Sequence, residues 1–162
     1  MPDEQMRQAA RASARRLLSR REHSAYELTH KLRQRGYALP LVEAVVAELA
    51  RGGWVSDARY AAALVHERRS RGYGPLRIRA ELSQHGVDAA LVESHLQCND
   101  AEWIRLAQRH CVRRFGDPSS ASLKEQQRRF RFLLNRGFTR DQIRMALQDI
   151  GARANDRSCT IG

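Results

Sequence analysis

His66-Glu67 opens the pattern with which a metalloprotease helix holds zinc, in which a second histidine follows one turn later on the same face. That position holds Ser70, so the ligand pair is broken. Gly72-Tyr73-Gly74 has the glycine content of a phosphate loop, but it follows a helical pattern and lacks the later glycine of a dinucleotide site. No Gly-Lys-Ser/Thr phosphate loop occurs anywhere in the chain. The six histidines are scattered, and His85, just before Gly86, reads as a cation near a helix C-terminus. Three cysteines, Cys98, Cys111 and Cys159, lack the close pairing of a zinc site or a disulfide framework. They read as reduced thiols, the first two as small apolar filler and Cys159 as a tail residue. The expectation is a protein without catalysis, metal or cofactor.

What chemistry remains belongs to arginine. The chain has 29 basic residues against 18 acidic ones, a net charge of +11, and only Lys31 and Lys124 among the basic residues are not arginine. The planar guanidinium fork suits phosphate and carboxylate oxygens in pairs. Such an excess implies attraction to nucleic acid or to an acidic protein surface. The arginines gather in Arg15, Arg16, Arg20 and Arg21; in Lys31, Arg33 and Arg35; in Arg68, Arg69 and Arg71; and in Arg77 and Arg79. Between residues 128 and 144 there are six arginines, Arg128, Arg129, Arg131 and Arg136 among them, and one acid, Asp141. Taken singly, each such arginine reads as a solvated helix face whose stem packs on the core. Tyr73, Phe130 and Phe132 interleave with the charge and could stack on bases, although their spacing fits buried faces better.

The elements that must carry these residues repeat. Leu32-Gly36, Leu82-Gly86 and Leu133-Gly137 have the same spacing, the glycines lie 50 and 51 residues apart, and each is followed by a large apolar residue. Six residues past each glycine stand Val42, Val92 and Ile143; ten past stand Val46, Leu96 and Leu147. A period near 50 signals a repeat architecture. Leu28 to Leu32 and Ile78 to Leu82 are spaced i, i+4, and no strand-length alternation appears. The glycine caps a helix C-terminus in the left-handed conformation, and the apolar residue after it closes the corner. Ser24 with Glu27, Asn99 with Glu102 and Thr139 with Gln142 have capping-box spacing, and Pro40 and Pro75 suit a first helical turn. A further helix precedes each pair, over roughly 9–22, 57–71 and 100–115. In the third copy Arg129 occupies the position of Leu28 and Ile78, and Phe130 is expected to take the buried role one residue later.

The fold class is therefore all-α: three tandem three-helix repeats in an elongated, curved modular structure. The expected boundaries are 1–55, 56–99 and 100–151, with a flexible tail over 152–162. The helices after the glycines, PLVEAVVAELA and DAALVESHLQ, carry carboxylates and no Arg or Lys, which argues against reading of the major groove. No apolar run exceeds the six residues 60–65, and the N-terminus lacks a signal-peptide pattern. A cytoplasmic location without membrane contact is expected.

LLSRREHSAYEL at 17–28, WVSDARYAAAL at 54–64, GPLRIRAEL at 74–82 and RFRFLLNRGF at 129–138, in this order, resemble the RecX regulators of the bacterial RecA recombinase. The resemblance spans about residues 14–150. It implies three three-helix repeats, binding to the RecA filament on single-stranded DNA, and suppression of strand exchange and ATP hydrolysis in DNA repair and the SOS response. The expected contact residues are Lys31, Arg33, Arg35, Arg68, Arg69, Arg71, Arg77, Arg79, Arg128, Arg129, Arg131 and Arg136. The expected partners are the RecA filament and single- or double-stranded DNA, met as a monomer. Two rival readings share the charge pattern: a general basic DNA-binding helical protein, and a helical scaffold for an acidic protein.

Overall fold

Nine helices and no strand appear among the described residues of the computed structural model, which are 2–97, 99–117 and 121–158, with side chains described over 3–97, 99–117 and 121–152. They are α1 Pro2–Leu18, α2 Ala25–Gln34, α3 Leu39–Arg51, α4 Asp57–Ser70, α5 Pro75–Gln84, α6 Ala89–Leu96, α7 Asp100–Phe115, α8 Leu123–Asn135 and α9 Arg140–Ser158. The helix α1 begins well before the expected start near Ala9. Pro2 suits its first turn, and Asp3 and Glu4 meet the positive end of its dipole. The helix α9 runs through Gly151 to Ser158, into the stretch read as a tail. Cys98 and Cys159 lie outside the described residues. Cys111 is fully buried, and burial raises its thiol pKa, in keeping with an inert filler.

The repeated phrase ends helices as expected. At Gly36 (φ +91°) the backbone enters the left-handed region, where a side chain would be strained. Gly36 N–H donates to the Arg33 carbonyl (2.9 Å) and Tyr37 N–H to the Leu32 carbonyl (3.4 Å), which satisfies two carbonyls at the end of α2. The same pair of bonds recurs at Gly86 and Gly137. Leu32, Leu82 and Leu133 are fully buried, as are Leu28, Ile78, Val42 and Ile143. At the N-termini Ser24 caps α2 through Glu27 N–H, and Thr139 and Gln142 form a reciprocal box at α9 (3.0 and 3.2 Å). Asn99 caps through Ala101 rather than Glu102, whose carboxylate is engaged by Arg69.

Two compact units divide the chain, residues 1–64 with 81–95 and residues 65–80 with 96–162. In the first, α1, α2 and α3 enclose Ala10, Ala14, Leu17, Leu28, Leu32, Val42, Val45, Val46 and Leu49. The N-terminus of α2 rests on the corner at Gly86: Ser24 Oγ donates to the His85 carbonyl (2.7 Å), and a Cβ on Gly86 would stand 2.5 Å from that of Tyr26. His85 does more than meet a helix end, since its Nδ1 pairs with the hydroxyl of buried Tyr60. In the second unit, α7, α8 and α9 pack around Trp103, Leu106, Cys111, Leu133, Phe138 and Ile143. There the N-terminus of α5 abuts the corner after α8. Gly74 N–H donates to Arg136 O (2.7 Å) and Leu76 N–H to Gly137 O (3.0 Å), so orphan donors of one helix end meet orphan carbonyls of another. A Cβ on Gly74 would lie 2.5 Å from the Gly137 oxygen, which explains why glycine faces glycine here.

Candidate interaction surface

Arg129 is the one expected contact residue that the fold takes away from solvent. It is 2% exposed and fills the position that leucine and isoleucine hold in the other repeats. Its Nη1 donates to Gly116 O (3.1 Å), its Nη2 to Phe115 O (3.4 Å) and to Glu125 Oε1 (3.1 Å), and its guanidinium lies 5.5 Å from the Phe115 ring centroid. It thus caps the C-terminal carbonyls of α7 from inside the core, where a permanent cation offsets the negative dipole end. Phe130, expected to be the buried residue, is only half-buried, because the guanidinium needs the inward position to reach those carbonyls.

Around Tyr73 the second unit gathers two of the expected cations. The Arg77 guanidinium lies 4.3 Å from the ring centroid and that of Arg136 4.9 Å, with Arg136 also 5.2 Å from Phe132. Arg136 Nη1 donates to Arg71 O (2.7 Å) and Arg77 Nη1 to Asn135 O (3.5 Å). Each cation–π contact of this partly exposed kind contributes about 0.5–1 kcal/mol and holds the guanidinium in a fixed pose. Tyr73 therefore orders arginines rather than filling the core, which the spacing alone did not reveal. Arg71 also pairs with Glu67 (2.8 Å), Arg68 with Glu67 (3.3 Å), and Arg69 with Glu102 (3.1 Å) while stacking 5.0 Å from the Trp103 centroid. Arg79 is half-buried.

Arg128 and Arg131 differ from these. Both are exposed on α8, without an ion pair among the described residues, and i, i+3 spacing puts them on one face. Lys124, one turn earlier, continues the row and escaped the sequence reading, though its spacing to Arg128 was the available sign. In the first unit Lys31 stands 3.8 Å from Glu27, Arg35 is tied to Ser13 Oγ, and Arg33 is exposed at the end of α2. Nine of the twelve expected contact residues belong to the second unit and three to the first.

Among the described residues no three His, Cys, Asp or Glu side chains stand close enough together to hold a metal ion, and no helix is long and apolar enough to cross a membrane. What the arrangement can do is present fixed and free cations to an anionic partner.

Comparison with known proteins agrees with the helical triplets. Residues 10–49 match the first three-helix domain of RecX, residues 56–96 the second and residues 100–147 the third. A protein of Stenotrophomonas maltophilia (strain K279a) named Regulatory protein RecX is 41% identical over 130 residues, 80% of each chain. Another so named, from Legionella pneumophila (strain Corby), is 40% identical over 138 residues, 85% of this chain and 92% of its own. The crystal structure of RecX from Lactobacillus salivarius superimposes with a TM-score of 0.77 at 22% identity, covering 91% of this chain and 97% of that one. Three domains matched in order, with such relatives aligned over most of the length, make this protein a member of the RecX family.

Proposed function

We propose that this protein regulates the RecA recombinase by binding the RecA filament on single-stranded DNA, and that it limits filament growth, ATP hydrolysis and strand exchange. Membership of the RecX family supports the partner. The observation that carries the contact chemistry is the exposed row Lys124, Arg128 and Arg131 along α8, which makes no ion pair among the described residues. The row is backed by the arginines ordered around Tyr73. A filament repeats its anionic surface, so one chain touching neighbouring subunits gains avidity without a strong single contact. The protein performs no chemistry of its own in this reading, and acts as a monomer in the cytoplasm.

Reversing the row as Arg128→Glu/Arg131→Glu is expected to raise the concentration needed for half-inhibition of RecA ATPase at least tenfold, with an unchanged circular dichroism spectrum. Unchanged inhibition by the folded variant refutes the assignment. Anisotropy with labelled DNA separates the general DNA-binding reading. Binding to bare DNA as tight as to the filament, falling with salt at a log–log slope of roughly 0.9 per duplex phosphate neutralised, would favour it.

A further inference from the structure

The strongest unassigned feature lies in the second unit, on α7. Arg105, Arg109 and Arg113 follow one another at four-residue spacing, all exposed and none ion-paired among the described residues. At 1.5 Å of rise per residue they stand about 6 Å apart along one helix face. They line a cavity of about 650 Å³ whose apolar lining includes Val112, 40% exposed, and Ile150 of α9, with Arg69 opposite. Arg69, Arg109 and Arg113 also border a smaller cavity of about 340 Å³ beside His110. The local field is positive enough to be felt there: burial first, then Arg136, Arg109 and Arg113, lower the His110 pKa.

The geometry points to a docking site for a short, extended protein segment in which acidic and apolar residues alternate. Four features select this occupant. The cavity is far larger than a lone phosphate needs and falls within the range of sites that enclose several side chains. Alternate residues of an extended chain are about 6.6 Å apart, so the carboxylate of every second residue can meet one arginine while a side chain between turns toward Ile150 of α9. A nucleic-acid strand offers that floor only sugar carbons and thymine methyls, a smaller apolar surface than leucine-sized side chains. Finally, the arginine row spans only about 12 Å from Arg105 to Arg113. A long polyanion would overrun it, whereas a short acidic segment fits within it.

This site goes beyond the RecA reading, because none of Arg105, Arg109 and Arg113 belongs to the contact set proposed above, and its test uses no filament. A fluorescent peptide, acetyl-Glu-Leu-Glu-Leu-Glu-Leu-Glu-amide, is titrated with the full chain at low salt and followed by anisotropy. Its all-Gln counterpart and an oligodeoxythymidylate of equal charge serve as comparisons. Saturable binding of the Glu peptide is expected, at least tenfold weaker for Arg109→Glu/Arg113→Glu and several-fold weaker for the uncharged Val112→Gln. The Gln peptide is expected not to bind. Should the double reversal fail to fold, Arg105→Gln and Arg109→Gln, each solvent-facing, replace it with several-fold losses expected. Absent binding, affinity within twofold of the original in the charge variants, or tighter oligonucleotide binding abolished by the same substitutions would overturn the proposal.

Discussion

Arg128 and Arg129 are neighbours in the chain with opposite fates. Arg128 projects into solvent, and its truncation to alanine should change stability by no more than about 0.5 kcal/mol. Arg129 is enclosed, with two backbone carbonyls and one carboxylate as partners and its Nε without one. Arg129→Ala would leave a void and strand the carbonyls of Phe115 and Gly116, so a loss of about 3–5 kcal/mol is expected. Arg129→Lys keeps the charge but cannot fork between two carbonyls, and should recover only part of that loss. Urea unfolding of the three variants checks the ranking; a near-neutral Arg129→Ala would contradict the buried role. The periodic pattern aligned position 129 with Leu28 and Ile78, but Phe130 was expected to take the buried role and Arg129 to face a partner. It could not say that a cation belonged there, because the acceptors lie 13 and 14 residues earlier, at the end of another helix.

At the scale of elements, the three glycine corners look alike in sequence and differ in surroundings. Within 4 Å of a Cβ at Gly36 there is nothing, so Gly36→Ala meets only the left-handed backbone cost of about 1 kcal/mol. Gly74 has an ordinary backbone conformation, but its Cβ would press on the backbone of Gly137 and Phe138, which cannot swing aside as a side chain can. Gly74→Ala is therefore expected to cost about 3 kcal/mol. Equal losses in urea unfolding would contradict the close approach. Helix ends and buried leucines were legible in the sequence because caps and i, i+4 spacing are local. The α5–α8 abutment was not, since it joins residues about sixty apart that share no pattern, and the Tyr73 cluster rides on it. The row on α7 escaped for another reason: arginines at four-residue spacing look the same whether they face open water or a cavity.

For the whole molecule, acid should act through both units. In the first, His23 is 2% exposed, with Nδ1 3.0 Å from Glu27, and burial, helped by Arg21 and Lys31, lowers its pKa against the pull of Glu27. In the second, His110 is lowered by burial and by Arg136, Arg109 and Arg113. A lowered histidine holds fewer protons folded than unfolded, so stability present above the ordinary value of 6.5 declines as pH falls below it. Glu27 extends the loss further down. Burial acts to raise its pKa, but the Arg21 hydrogen bond and the charges of His23 and Arg21 outweigh it and hold the carboxyl below its usual range. The urea midpoint should drop between pH 7.5 and 5.5, and His23→Gln/His110→Gln should shrink that drop; a flat profile would contradict both assignments. The way each second helix seats on the following corner has a further consequence. Ser24 and Tyr26 are cut to fit His85-Gly86, while Gly74 is cut to fit Gly137, and neither fitting suits the other's counterpart. A chimera with its second and third modules transposed would set the Cβ of Ser24 where Gly74 must be bare, so the succession of modules is as much a part of the design as their individual folds.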